Sequence, residues 1–333
     1  MTRQSWLAWE ALELSLKTKK LHIIDGATGT QIERKGAAMN HHGWSCAAQL
    51  FAPEVVEEIH GDYINAGADI IIANTYATNR NVMARAGLGE RTEEAITLAI
   101  DLARRAQNTY GKLDEARFKR PWVMASLSTH PPSIKAGTDG SDDEGYPLGD
   151  AEEQAYIDAA NTIAKTQPGC DMLWLEMMKD TVHAAKAIRA AAQSGLPFFM
   201  RISTRISSEG QLYFYGKGGS LEHAEIFDEK SFKLLVETAG DNLKGINIMH
   251  TNFTAMGPTL EAVRSFGWNG ILGAYPDHGH FKMPHWEFEE VDMEEAMKLV
   301  HGWVNRYDVR LVGGCCGLGP DFIEALKAMS EKL

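Results

Sequence analysis

The segment from Val309 to Asp321 reads VRLVGGCCGLGPD, and it predicts a strand, a glycine turn and the start of a helix. Two adjacent cysteines, Cys315 and Cys316, lie in the turn. Side chains alternate along an extended strand, but flanking glycines permit a backbone that directs both thiols toward one point. Such a pair favours a soft metal ion such as zinc. A pair of buried, unreactive cysteines is the alternative.

Seven further apolar strands precede this one, and helical segments separate them. The strands are predicted at residues 21–24, 69–76, 122–128, 171–176, 197–203, 245–250, 270–275 and 310–313. The helices are predicted at residues 54–66, 92–110, 151–166, 181–192, 231–239, 257–266 and 293–307 and from residue 319. This alternation, with no break in composition, predicts an α/β protein with one domain, a (β/α)8 TIM barrel over residues 1–333. A helical extension over about residues 1–20 precedes it.

Composition restricts the classes of function. The 333 residues include 33 Lys and Arg against 45 Asp and Glu, a formal charge of −12 that does not attract nucleic acid or an anionic membrane. No apolar run matches a signal peptide or a membrane span, so a cytoplasmic protein with small-molecule partners is expected. Four cysteines are too few for a disulfide framework. Any cysteine with a function is therefore expected to bind a metal or to take part in catalysis. The sequence is compatible with a homo-oligomer and does not determine the oligomeric state.

Polar residues cluster at the predicted C-terminal ends of the strands, where barrel enzymes carry their chemistry. Asp25 follows the first strand and Glu176 ends the fourth. Each also has a structural interpretation: Asp25 as a turn or cap residue, and Glu176 as part of an ion pair at the barrel rim. The remaining members of this set are Asn74, Thr75, Asn247, His250, Cys315 and Cys316.

Taken in order along the chain, five motifs resemble the homocysteine S-methyltransferase family. This family of zinc-dependent barrels includes the betaine–homocysteine and S-methylmethionine–homocysteine methyltransferases. The resemblance covers about residues 20–330. The motifs are Asp25–Thr30 (DGATGT), the stretch from His60 to Asn74–Thr75, Leu175–Glu176, Tyr275–Pro276 with Gly279, and Gly313–Gly317 (GGCCG).

The resemblance implies an S-methyltransferase with Zn²⁺ as its cofactor. Zinc held by protein thiolates would activate the thiol of homocysteine or a related acceptor, and methylation would give methionine or its analogue. Asp25 and Glu176 would act as catalytic residues that hold the substrate ammonium group. The substrate-binding set implied by position also includes Gly26, Ala27, Thr28, Asn74, Thr75 and Asn247, with backbone amides near Gly26 for the carboxylate.

One position departs from the family pattern, which has three cysteine ligands. The first of these follows an asparagine, but here Ile248 follows Asn247. His250 lies two residues further on and, in a strand that stays extended, points to the same side, so a Cys2His site with Cys315 and Cys316 is predicted. Cys46 is a second candidate ligand. Cys170 precedes the fourth strand, at the opposite end of the barrel, and is excluded.

Two functions follow from these observations. The first is zinc-dependent methyl transfer from a free sulfonium or betaine donor, because the chain leaves no room for a folate or cobalamin domain. The second is a zinc-free barrel that keeps the amino-acid pocket and has a binding or regulatory role, or a changed chemistry. Ile248 favours the second function, whereas the retained acidic and cysteine residues favour the first.

Overall fold

The structure is a computed structural model that describes residues 2–18, 21–37, 44–111, 120–129, 149–216, 220–282, 285–288 and 291–333. For residues 2, 3, 44, 280–282 and 285–288 it describes the backbone alone. No helix within these ranges is long and apolar enough to cross a bilayer.

Eight parallel strands form a closed barrel, as the sequence predicts. Twelve strands occur in the described ranges: β1 (His22–Ile23), β2 (Ile70–Ala73), β3 (Trp122–Ser128), β4 (Met172–Met178), β5 (Phe198–Ile202), β6 (Thr204–Ile206), β7 (Leu212–Phe214), β8 (Leu243–Asn252), β9 (Ile271–Asp277), β10 (Gly279–Lys282), β11 (His285–Phe288) and β12 (Val309–Val312). The barrel order is β1-β12-β9-β8-β5-β4-β3-β2. A parallel bridge between Ile24 and Ile70 joins the first and last members, which closes the barrel.

The helices surround the strands, and the predicted ones are confirmed to within a few residues at their ends. They are α1 (Thr2–Thr18), α2 (Thr28–Arg34), α3 (Ala48–Phe51), α4 (Pro53–Asn65), α5 (Arg80–Arg85), α6 (Thr92–Tyr110), α7 (Asp150–Lys165), α8 (Thr181–Ser194), α9 (Glu229–Ala239), α10 (Phe253–Ser265), α11 (Met293–Tyr307) and α12 (Pro320–Ser330). The sequence analysis did not identify α2, α3 and α5, nor the β6–β7 and β10–β11 hairpins. These elements are too short for a hydrophobic period to repeat often enough to be recognised.

Three hydrophobic clusters occur among the described residues, and the two largest form the core of the barrel. The larger one lies between the strands and the helices, and the smaller one fills the barrel interior. Helix α1 adds Trp9, Leu12 and Leu16 to the interior cluster, and the Trp9 ring meets Phe199 edge-on at 6.2 Å between centroids. The N-terminal extension therefore packs as part of the barrel core.

Gly313 lies at a close approach between β12 and β1. A Cβ atom at this position would lie 2.6 Å from the Asp25 carbonyl oxygen and 2.8 Å from that of Ile24. Because both obstacles are backbone atoms, we expect Gly313→Ala to lower the free energy of unfolding by about 1–3 kcal/mol. Urea denaturation measures this change.

The control for this prediction is Gly302→Ala. A Cβ atom at Gly302, within α11, meets no atom of the described residues inside 4 Å. This variant should be neutral or more stable by up to about 1 kcal/mol, because alanine is the better helix former. Equal stabilities of the two variants would contradict the close approach at Gly313.

Candidate metal centre and substrate pocket

The loop after β12 is held in place by hydrogen bonds to the segment that follows β1 and to β9. The Gly314 amide donates to the Asp25 carbonyl at 3.3 Å, and the Cys315 amide donates to the Pro276 carbonyl at 2.7 Å. Gly317 has a φ of 83°, a left-handed conformation that favours glycine. This turn directs the side chains of Cys315 and Cys316 to the same place, as the sequence predicts.

Three potential metal-binding atoms, two sulfurs and one imidazole nitrogen, meet above this loop. The two cysteine Sγ atoms lie 3.8 Å apart, and His250 Nδ1 lies 3.6 Å from each of them. Tetrahedral zinc, with bonds of about 2.3 Å to sulfur and 2.0–2.1 Å to nitrogen, separates two sulfurs by about 3.8 Å and a sulfur and a nitrogen by about 3.5–3.6 Å. Within the described part of the chain, this is the one group of three such residues with metal-binding spacing. Its donor set and spacing fit zinc, with a fourth position left over.

His250 reaches this group because β8 does not stay extended. Its φ is 45°, and the pairing of β8 with β9 shifts register between Met249 and Asn252. The assumption of an extended strand was therefore wrong, although His250 does lie together with the two cysteines. Ile248 is fully buried in the outer cluster, between the strands and the helices, while His250 turns to the mouth. The side chains of Ile248 and His250 therefore point to different faces of β8.

The other two cysteines lie away from the donor group. Cys46 is fully buried against Ala77, Val82 and Met83, and burial raises the pKa of its thiol to about 12. Burial also raises the pKa of Cys170 to about 12, and this residue precedes β4, at the opposite end of the barrel. Neither cysteine belongs to the group formed by His250, Cys315 and Cys316. Cys46 was the second candidate for a ligand, and the structure gives it a packing role.

Charged groups from the β6–β7 hairpin and β9 surround His250. Arg205 donates through Nη1 to the His250 carbonyl at 2.6 Å and through Nη2 to Asp277 Oδ2 at 3.2 Å. The same Asp277 oxygen lies 3.5 Å from His250 Nδ1. Burial lowers the pKa of His250, but the charges of Asp277 and Cys315 outweigh it and leave the pKa raised. The hydrogen bond from Cys316 lowers the pKa of Cys315 to about 5.

Asp25 and Glu176 lie in the barrel interior, but their surroundings differ. Asp25 Oδ2 accepts a hydrogen bond from the Ile72 amide at 2.7 Å, whereas Oδ1 has no partner among the described residues. Glu176 accepts from Arg201 Nη1 at one oxygen and from Ser126 Oγ at the other, at 2.5 Å. Burial raises the pKa of both carboxyl groups. Glu176 thus already has a buried cationic partner, and Asp25 does not.

Asn74 and Thr75 use their side chains in hydrogen bonds within the protein. Asn74 Nδ2 donates to the Ser45 carbonyl and to Gln49 Oε1, both at 2.8 Å. Thr75 Oγ1 donates to the Ser126 carbonyl at 2.8 Å and accepts from the Ser126 amide at 2.7 Å. The Thr75 contacts join the end of β2 to β3, and the Asn74 contacts join it to Ser45 and to α3, so both side chains take part in building the pocket wall.

The backbone of residues 26–28 lies between β1 and α2. The Gly26 carbonyl accepts from Tyr275 Oη at 3.1 Å, and the Ala27 amide donates to the Leu318 carbonyl at 3.2 Å. Thr28 begins α2, whose N-cap Ala27 provides no side-chain hydrogen bond. The Ala27 amide is therefore already engaged within the protein.

Sequence analysis missed Arg201, Arg205 and Asp277. Arg201 gave a signal, because it is a charged residue inside the otherwise apolar strand Phe198–Ile202, and buried arginine is rare without a partner. Arg205 lies in polar sequence after β5, where charged residues are common, and no sequence pattern distinguishes it. Asp277 directly follows the Tyr275–Pro276 motif at the end of a strand, a position that could have identified it.

Comparisons with known proteins agree with this geometry. The model of the family described as homocysteine S-methyltransferase matches residues 22–330. The homocysteine S-methyltransferase YbgG of Bacillus subtilis (strain 168) is 25% identical over 320 residues, which cover 96% of this chain and 97% of the relative. The selenocysteine Se-methyltransferase of Brassica oleracea var. italica is 25% identical over 343 residues, 94% of this chain and 90% of the relative.

A solved structure supports the same fold. The metallated form of the homocysteine methyltransferase MmuM from Escherichia coli superimposes with a TM-score of 0.72 at 20% sequence identity. The match covers 95% of this chain and 99% of that chain. The described strands and helices thus share their arrangement with this barrel.

Proposed function

Because this chain belongs to the homocysteine S-methyltransferase family, we propose that it transfers a methyl group from a small sulfonium or betaine donor to the thiol of homocysteine or a related acceptor. A zinc ion held by Cys315, Cys316 and His250 is part of this proposal. The observation that carries it is the triangle of donor atoms, whose sides of 3.6, 3.6 and 3.8 Å match three corners of a zinc tetrahedron.

A zinc ion in this position would lower the pKa of an acceptor thiol at its open coordination position, which increases the thiolate fraction at neutral pH. The remaining work belongs to the residues of the pocket. They orient the acceptor so that its sulfur faces the donor methyl group. A new S–CH3 bond forms as the donor's bond to that carbon breaks. The electron pair of the broken bond stays with the donor heteroatom, which loses its positive charge.

Asp25 is the residue proposed to hold the acceptor's ammonium group. It is fully buried, and its Oδ1 has no partner among the residues that the structure describes. A buried carboxylate oxygen without a partner is costly, and an ammonium donor would satisfy it. Glu176, paired with Arg201, contributes by keeping that guanidinium in place, while Asn74 and Thr75 shape the wall.

The test is a methyl-transfer assay on the purified protein with homocysteine and a panel of donors that includes S-methylmethionine, S-adenosylmethionine and betaine. Transfer by at least one donor should stop after a chelator removes zinc and return when zinc is added. Transfer that persists in the metal-free protein would contradict the zinc part of the proposal. Absence of transfer with every donor, in protein that holds zinc, would favour the binding or regulatory role.

A further inference from the structure

Arg201 is a buried arginine whose hydrogen-bonding capacity is only partly used. Its side chain has no exposed area and lies against the rings of Trp174 and Tyr275, at 4.4 and 4.0 Å from their centroids. Nη1 donates to Glu176, but Nε and Nη2 have no hydrogen-bond partner within the described ranges. A buried guanidinium with two unsatisfied donor nitrogens is costly, which indicates a partner that is still to be identified.

The two unsatisfied nitrogens form one edge of the guanidinium plane. Elsewhere in this chain the same edge binds carboxylates in a bidentate manner. Arg189 binds Glu153 through Nε and Nη2 at 2.8 and 2.9 Å, and Arg91 binds Glu94 through the same two atoms, both at 2.7 Å. The planar fork of arginine matches the two oxygens of a carboxylate.

Asn247 lies on the strand next to that of Arg201, and its side-chain amide is also unsatisfied among the described residues. It pairs in register with Arg201 on β5 and with Gly273 on β9, so these positions share one level of the barrel. Its side chain is fully buried, and neither amide atom has a partner among the described residues. A Cβ atom at Gly273 would lie 2.3 Å from Asn247 Nδ2, so the glycine leaves the space that this amide occupies. Two adjacent strands thus offer unsatisfied donors at one level.

We propose that the Nε–Nη2 edge of Arg201, together with Asn247, forms the subsite for the carboxylate of the acceptor thiol. Both oxygens of Glu176 already accept hydrogen bonds, from Arg201 and from Ser126, so the ligand on the free edge must supply its own acceptors. Asp25 provides the complementary acceptor for an ammonium group. The pocket thereby recognises the carboxylate through side chains, and the loop amides near Gly26 have a smaller role.

This inference rests on the proposed function and specifies which group of the acceptor the pocket recognises. Arg201 and Asn247 have no exposed area, so the carboxylate reaches them only when neighbouring side chains move aside. We therefore expect the preference among thiol acceptors to depend more strongly on the carboxylate than on the ammonium group. An acceptor without the carboxylate cannot form the bidentate ion pair with Arg201.

The experiment compares three thiols: homocysteine, 3-mercaptopropan-1-amine, which lacks the carboxylate, and 4-mercaptobutanoate, which lacks the ammonium group. For the zinc-loaded wild type, kcat/KM should fall by roughly 10- to 100-fold without the carboxylate and by less without the ammonium group. Arg201→Lys keeps a positive charge beside Glu176 but has no planar fork. The preference for homocysteine over 3-mercaptopropan-1-amine should therefore fall by about 10-fold or more.

A second variant and a control keep the result interpretable. The double variant Arg201→Met/Glu176→Gln removes both buried charges together, so it avoids an unpaired Glu176 and should also lose the preference. Ser126→Ala removes the other hydrogen bond to Glu176 but leaves the arginine edge intact, so the preference should stay within about 2-fold of wild type. An unchanged preference in both Arg201 variants would overturn the proposal and assign the edge to an internal water or to packing.

Calorimetric binding of the same thiols separates this inference from the proposed function. If the wild type binds 4-mercaptobutanoate and homocysteine but transfers no methyl group, the transferase proposal fails. Even then, weaker binding of homocysteine and 4-mercaptobutanoate to Arg201→Lys than to the wild type would support the carboxylate subsite. If the wild type transfers methyl groups with no preference for a carboxylate, the subsite fails and the transferase proposal stands. Failure to bind any of the three thiols would overturn both.

Discussion

The His250→Asn variant should bind zinc more than about 100-fold more weakly than the wild type. Its rate of methyl transfer should fall by a similar factor. Loss of a partner that merely orients a ligand costs about 10- to 100-fold in metal affinity, and removal of a ligand itself should cost more. Asparagine tolerates the left-handed backbone that His250 adopts at a φ of 45°, so the variant removes the imidazole without adding backbone strain. Zinc affinity is measured by competition with a chromophoric chelator.

The matched control for this prediction is His278→Asn. His278 is also close to the donor group, since its amide donates to the Cys316 carbonyl at 2.8 Å, but its side chain is not part of the group of three donors. Zinc affinity should stay within a few-fold of wild type in this variant. If His250→Asn keeps wild-type affinity while His278→Asn loses it, the assignment of the third ligand is wrong.

The Arg205→Met variant should bind zinc about 10- to 100-fold more weakly, with one ion per chain still bound at saturation. Arg205 contacts the His250 carbonyl, the Thr204 carbonyl and Asp277, so it holds the bulge that turns the imidazole to the cysteines. Methionine keeps an apolar side chain that packs on Tyr215, whose ring centroid lies 4.3 Å from the guanidinium carbon. The imidazole then samples other orientations, and the affinity falls without loss of a ligand.

Arg264→Met is the control for Arg205. Arg264 donates to the carbonyls of Tyr307, Trp268, Gly270 and Asp308. Gly270 and Asp308 directly precede β9 and β12, so this arginine lies at the opposite end of the barrel from Cys315, Cys316 and His250. Loss of these bonds should lower the unfolding midpoint in urea and leave zinc affinity unchanged. Equal zinc affinities in Arg205→Met and wild type would show that the bulge keeps its shape without the arginine.

The pairing of Arg201 with Glu176 illustrates how far sequence reasoning reaches into the pocket. Position within the fourth strand correctly predicted that Glu176 lies at the end of the barrel with the cysteines. Its partner could not be predicted, because the contact depends on β4 and β5 lying side by side in a closed barrel, with both side chains on the inner face. Asn74 is a similar case: its position was predictable, but the saturation of its amide by Ser45 and Gln49 was not.

The sequence by itself determined the alternation of eight strands and helices, the collection of polar residues at the C-terminal ends of the strands, and the adjacent cysteine pair in a glycine turn. These features depend on hydrophobic period and local backbone preference, which short stretches of chain carry within themselves. Only the tertiary structure decided how the backbone turns His250 toward the cysteines, that Ile248 packs outward, and that Arg201 has a free edge. Each of these depends on a bulge or a contact between distant strands, and barrel closure sets their relative positions.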